Sequence, residues 1–183
     1  MPDERDETVK QFIEESERTL EAAKSDQVFD ESLVQQPVSV LEPQAPFIVE
    51  PQTPVLEAVS LMQNEKIGCV LIATAGKLKG IVTERDILVQ VVGKSVDAAK
   101  LPVRKIMTSD PEYLRVTDSV AHALNKMSLG GYRHIPLVDD ARVPVGVISV
   151  KDIVNYVVRF FPKSVMNLPT LPRQNVTRER EGA

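Results

Sequence analysis

The sequence predicts an α+β fold: two pseudo-symmetric β-α-β-β-α repeats packed through their sheets, with an N-terminal amphipathic helix ahead of them. Two observations predict it. Residues 37–92 reappear about 65 positions further on. Each copy carries a helical stretch, two short apolar runs parted by a turn, and a second helical stretch. A chain of 183 residues with 43% hydrophobic side chains has enough apolar surface for a sizeable core. A half with so few elements cannot cover both faces of its own sheet, so the halves are expected to form one unit.

The duplication is read residue by residue. Residues 37–41 correspond to 102–106, 53–62 to 118–127, and 67–72 to 132–137, all at an offset of 65. One extra residue then enters the second copy, and 80–87 matches 146–153 at an offset of 66. The insertion falls between Ala73 and Lys79, where Gly76 signals a turn that tolerates it. The expected organisation is an acidic helical extension over 1–36, repeats over 37–93 and 102–161 joined by a linker over 94–101, and a proline-containing tail over 162–183.

In chain order, Val9, Phe12, Ile13, Leu20 and Ala23 share one face at helical spacing and predict an amphipathic helix that packs on the body or on a second subunit. Val55, Val59 and Met62 predict the first helix of the repeat, with Thr53 as N-cap and Pro54 at the first helical position. Residues 69–73 and 78–82 read as an antiparallel strand pair. Thr83, Glu84, Arg85 and Asp86 open a second helix that runs through Ile87, Leu88, Val91 and Val92 and ends at Gly93. Pro162, Pro169 and Pro172 interrupt any helix in the tail, and residues 173–183 have little to bury.

Composition excludes several classes. The net charge of −4 divides into −7 over 1–36, +2 over 37–169 and +1 beyond, so the acidity belongs to the extension. No apolar run approaches the roughly 20 residues that span a bilayer. A single cysteine builds neither a disulfide framework nor a cysteine-rich zinc site, and with no secretion signal a reducing cytoplasm is expected. Two histidines, His122 and His134, leave little inventory for metal or Ser-His-Asp catalysis. No basic stripe with interleaved aromatics supports nucleic-acid binding. His122 reads as a helix surface residue, and Gly130-Gly131 lacks the spacing of a phosphate loop.

Three features carry a family resemblance: Gly-apolar-apolar-Ser/Thr-x-x-Asp at 80–86 and again at 146–152, Arg133-His134-Ile135-Pro136, and Met107-Thr108 before the second copy. On these the chain resembles a tandem pair of cystathionine-β-synthase (CBS) domains, a Bateman module, of the stand-alone bacterial type. The resemblance spans about 37–161. It implies a regulatory module for adenosine compounds such as AMP, ADP, ATP or S-adenosylmethionine, with no catalysis, no required cofactor and no metal of its own. The chemistry fits. A carboxylate such as Asp86 or Asp152 accepts hydrogen bonds from both ribose hydroxyls, and Thr83 or Ser149 at a helix start favours phosphate. Arg85 and Lys151 add positive charge beside them. Ser/Thr-x-x-Asp is also close to a capping box, in which the two side chains serve only the helix end.

The resemblance implies that each pocket is built from both repeats. Thr83, Arg85 and Asp86 would share the first with Thr108, Tyr132, Arg133, His134 and Ile135. Ser149, Lys151 and Asp152 would share the second with Phe47, Ile67, Gly68 and Cys69. Arg133 and His134 lie near the pseudo-twofold axis, where their cations would serve phosphates in either pocket. The first pocket is expected to be the tighter, because Glu42 stands at the second. The leading expectation is an adenine-nucleotide sensor, a homodimer paired through its helices, that signals to a separate protein effector. The rivals are a dimeric interaction scaffold with vestigial pockets and, last, a nucleotide-processing enzyme.

Overall fold

The computed structural model describes residues 31–160. The expected helix over 9–23 and the tail from Pro162 lie outside the described residues. In order, the elements are α1 (Ser32–Gln35), β1 (Ile48–Val49), α2 (Val55–Glu65), β2 (Cys69–Thr74), β3 (Lys77–Thr83) and α3 (Glu84–Gln90). They continue with β4 (Thr108–Ser109), α4 (Val120–Gly130), β5 (His134–Val138), β6 (Pro144–Ser149) and α5 (Val150–Phe160). Short 3-10 turns over Val38–Leu41 and Val103–Lys105 open the two repeats. This is the mixed α+β repeat the sequence predicts.

The hairpins sit at the centre. β2 and β3 pair antiparallel from Cys69↔Thr83 to Thr74↔Lys77, turning at Ala75 and Gly76, both at positive φ (51° and 76°). That conformation follows the twist of the flanking strands. β5 and β6 repeat the arrangement from His134↔Ser149 to Val138↔Pro144. β1 joins β2 in parallel, and β4, from the second repeat, adds to β3 to complete a four-stranded sheet. The reciprocal contact is Gln44 of the first repeat against Val147 of β6. Glycine permits both approaches. A Cβ on Gly80 would stand 2.5 Å from Met107 Sδ and 3.1 Å from the Thr108 carbonyl oxygen, and one on Gly146 would stand 3.3 Å from Pro43 Cβ.

The helices follow their apolar spacing. Val55, Ala58 and Met62 are the buried face of α2, and Val120, Ala123 and Met127 that of α4. Their starts differ. Ser119 caps α4 through its hydroxyl, which accepts from the His122 N–H. Thr53 does not cap α2. Pro54 is the N-cap, and the Val55 and Leu56 N–H groups donate to the Leu101 and Ala98 carbonyls, so backbone replaces the side-chain cap. α3 is also shorter than expected. It ends at Gln90, Val91 leaves the helical region at φ −120°, and Val91 to Gly93 form a turn. The Gln90 amide donates to the Ile106 carbonyl at 2.8 Å.

The cores show how the halves are joined. One gathers Val55, Met62, Val70, Ile72 and Val82 with Val103 and Ile106 from the start of the second repeat. The other gathers Val120, Ile135, Leu137, Ile148, Ile153 and Tyr156 with Val38 and Leu41 from the start of the first. Each repeat thus lends its leading turn to the other's core. Val38 and Val103 are fully buried there, worth about 1.5–3 kcal/mol each by area. Leu71, Leu78, Ile81 and Val138, with Tyr113 and Val147 partly buried, form the layer between the sheets. Among the described residues no helix is long and apolar enough to cross a membrane.

Candidate functional site

Each hairpin ends in Thr or Ser at the head of a helix, and both ends carry a capping box. The Thr83 N–H and hydroxyl donate to Asp86 Oδ2 at 2.8 and 2.7 Å, and the Asp86 N–H donates back to Thr83 Oγ1 at 3.4 Å. Ser149 and Asp152 repeat this at 2.7, 2.7 and 3.3 Å. Capping therefore occupies one carboxylate oxygen in each repeat. Among the described residues nothing donates to Asp86 Oδ1, which keeps its lone pairs for hydroxyl donors.

Asp86 opens onto a cleft of about 380 Å³ at the seam between the repeats. The first repeat supplies Gly68, Ile81, Thr83, Arg85 and Asp86. The second supplies Thr108, Asp110, Pro111, Glu112, Gly130, Gly131, Tyr132, Arg133 and His134. Thr83, Arg85, Asp86, Thr108, Tyr132, Arg133 and His134 of the expected first set are thus brought together. Ile135 is not: its side chain is fully buried in the core of the second repeat, because alternation along β5 turns it away from His134.

Gly68, Ile81, Asp110, Pro111, Glu112, Gly130 and Gly131 complete this cleft although the resemblance did not assign them to it. Asp110 is ion-paired to Arg142 and Glu112 to Lys126, which leaves Arg85 and Arg133 to give the cleft its positive character. The Asp110 and Glu112 charges are thereby answered from outside the cavity. Gly130 seats the Tyr132 ring, since a Cβ there would overlap ring carbons at 2.1 Å. At the repeat offset 107–111 stands where the first copy has 42–46, and that contrast hinted at Asp110; Glu112 and the ring on Gly130 had no sequence signal.

The second expected set is not assembled in the same way. Ser149 and Asp152 meet in their cap, with Lys151 exposed beside them. Ile67 lines a different groove, of about 560 Å³, with Val59, Met62, Ile87 and Leu88 on the helical side of the first repeat. Gly68 faces the first cleft, where its bare backbone meets His134 Cε1 and Nε2. Cys69 is buried between the sheets, and burial, helped by Glu84, pushes its thiol up to about 12, so it stays protonated. Phe47 is 36% exposed, and its carbonyl accepts from the Leu71 N–H.

Two electrostatic expectations change. Burial, reinforced by Arg133, holds His134 below its ordinary value despite Glu84 and Asp152. At neutral pH its ring is neutral, not a cation. Glu42 is exposed and accepts from Arg159 of α5 at 3.0 Å; that bond holds its carboxyl below the usual range. It is a surface ion pair, and any difference between the two seams lies in other residues.

Fold and site define a tandem-repeat module with a polar cleft between its halves. The chain belongs to the CBS domain family: the family model matches residues 41–93 and 103–159. The Arabidopsis thaliana protein CBSCBSPB3, a CBS domain-containing protein, is 34% identical over 92 residues, half of this chain and 16% of that one. The chain therefore spans a small part of that relative. The solved CBS domain NE2398 is 25% identical at a TM-score of 0.63, covering 67% of this chain and 98% of that structure. The CBS domain pair of protein MJ0100, solved with 5′-methylthioadenosine and S-adenosyl-L-methionine, is 26% identical at a TM-score of 0.60, covering 66% and 94%. Proteins of this family are in general regulatory.

Proposed function

We propose that the protein is a regulatory module that binds an adenosine compound in the cleft beside Asp86 and signals the bound state to a separate protein partner. The observation that carries this is Asp86, with one carboxylate oxygen left free by the cap, in the lining of a cavity that also holds Arg85, Arg133 and Tyr132. Asp86 Oδ1 accepts from the ribose hydroxyls, the arginines attract a phosphate, and Tyr132 offers a ring face to the base. The MJ0100 pair, seen with two adenosine derivatives, supports the class of ligand. AMP, ADP, ATP and S-adenosylmethionine are its members to test. No reaction is assigned, and no cofactor is required.

The half-modules over 37–93 and 102–161 act as one unit, because each core needs the other's leading turn. The module works as a homodimer paired through its helices, where Leu56, Leu88, Leu124 and Val154 are exposed. A single buried thiol suits the cytoplasm as its compartment.

The test is thermal unfolding of the full chain against a panel of adenosine compounds. A ligand at 100 times its dissociation constant should stabilise by about 2.7 kcal/mol. A second reading, a dimeric scaffold with vestigial pockets, draws on the capping boxes, which already engage both hydroxyls and one oxygen of each Asp. It predicts no shift with any member of the panel.

A further inference from the structure

We infer that the cleft takes up a phosphate-bearing adenosine ligand together with a proton, which His134 accepts, so that mild acid strengthens binding of phosphorylated ligands alone. This rests on the adenosine reading above and adds its regulation.

The geometry begins with the seat of the ring. His134 lies in the cleft wall with Arg85, Arg133 and Asp86. Its Cε1 and Nε2 stand 2.9 Å from where a Cβ of Gly68 would be, and Glu84 Oε2 stands 3.7 Å from the same point. Only bare backbone leaves room for the imidazole, so Gly68 fixes it at the seam.

The charged groups acting on the ring come from three elements. Arg133 is its neighbour at the start of β5, Glu84 opens α3, and Asp152 lies in the first turn of α5. The Cys69 thiol, on β2, is protonated and adds no charge. Burial and Arg133 prevail over the two carboxylates, and the empty cleft holds a neutral imidazole. A phosphate beside Arg85 and Arg133 reverses the balance by answering the arginine charge and adding negative potential at the ring. The imidazolium becomes the stable form, and its N–H becomes a second donor to the anion. Proton uptake on binding and stronger binding in acid are then one linkage seen from two sides. Adenosine or 5′-methylthioadenosine brings no anion and moves no proton.

Calorimetric titration of the full chain with AMP, in buffers of different ionisation enthalpy, counts the protons taken up. The phosphate itself titrates at about pH 6, but it does so equally with wild-type protein and with His134→Gln. From about pH 8 to about pH 6 the wild-type affinity for AMP should gain roughly tenfold relative to that variant's. The affinity for 5′-methylthioadenosine should gain nothing. Gly68→Ala, which displaces the ring, should flatten the AMP slope by an independent route. If AMP binds and the wild type and His134→Gln share one pH slope and one proton count, the inference is overturned and the adenosine reading stands. If neither AMP nor 5′-methylthioadenosine binds at any pH, that reading falls with it.

Discussion

The strand edges at 66–69 and 131–134 occupy equivalent places in the two repeats and contribute opposite things. The first reads Lys66, Ile67, Gly68, Cys69 and supplies room: Gly68 has no side chain and Cys69 is buried. The second reads Gly131, Tyr132, Arg133, His134 and supplies chemistry to the cleft that room opens. Backbone, register and capping box are duplicated, while side-chain volume and charge are not. Pseudo-symmetry of the chain is therefore compatible with one seam being the better binding site.

Gly80 and Gly146 test that comparison with the largest effect. Gly80→Ala drives a methyl against Met107 and the Thr108 carbonyl and should destabilise by about 1–3 kcal/mol. Gly146→Ala, with contacts of 3.3 Å and beyond, should fall below about 1 kcal/mol in the same urea titration. Equal losses would mean that the two inter-repeat approaches are equally tight. Next, Asp86→Ala should weaken the adenosine ligand at least tenfold, about 1.4 kcal/mol, whereas Asp152→Ala should cost less affinity. Both remove a cap, so the unfolding free energies should fall together while the dissociation constants part. A larger loss of affinity at Asp152 would reverse the ranking of the seams.

The helix starts come third. Ser119→Ala should cost about 1 kcal/mol of stability, and Thr53→Ala only a few tenths, since α2 is capped by backbone. The smallest effect is the pH dependence of His134. Its folded-state value lies below 6.5, so the unfolded chain binds the proton more readily. Its contribution to stability is complete above the unfolded chain's ordinary value of 6.5 and is lost as pH falls from there through the folded-state value. Urea midpoints of the wild type should drop more on acidification than those of His134→Gln. A Cys69 thiol held near 12 should meanwhile resist labelling until the chain unfolds.

Much of this was legible because spacing is a one-dimensional property. The duplication, at an offset of 65 and then 66, located both hairpins and both capping boxes, and the family resemblance supplied most of the first cleft, including Thr108, some 20 residues from Asp86 in sequence. What escaped depends on which way a side chain or a segment turns. The resemblance implies Gly68 for the second seam, and its lack of a side chain places it under His134. Ile135 falls out because alternation sends it into the core. Thr53 was an acceptable cap by type, but a chain segment 45 residues later satisfies the helix end first. His134 reads as a cation in the sequence because its burial is a property of the folded molecule.

The loan of leading turns also sets an order of assembly. Every residue of the first repeat's core lies between Val55 and Ile106, one continuous stretch. The other core joins Val38 and Leu41 to residues that begin at Leu114, so its closure spans the whole of the first. A chain emerging from the ribosome completes its first core as soon as Ile106 is out, while Val38 and Leu41 wait for partners not yet made. The first repeat is then a compact link inside the loop that the second must close, and it shortens the distance its own leading turn has to search.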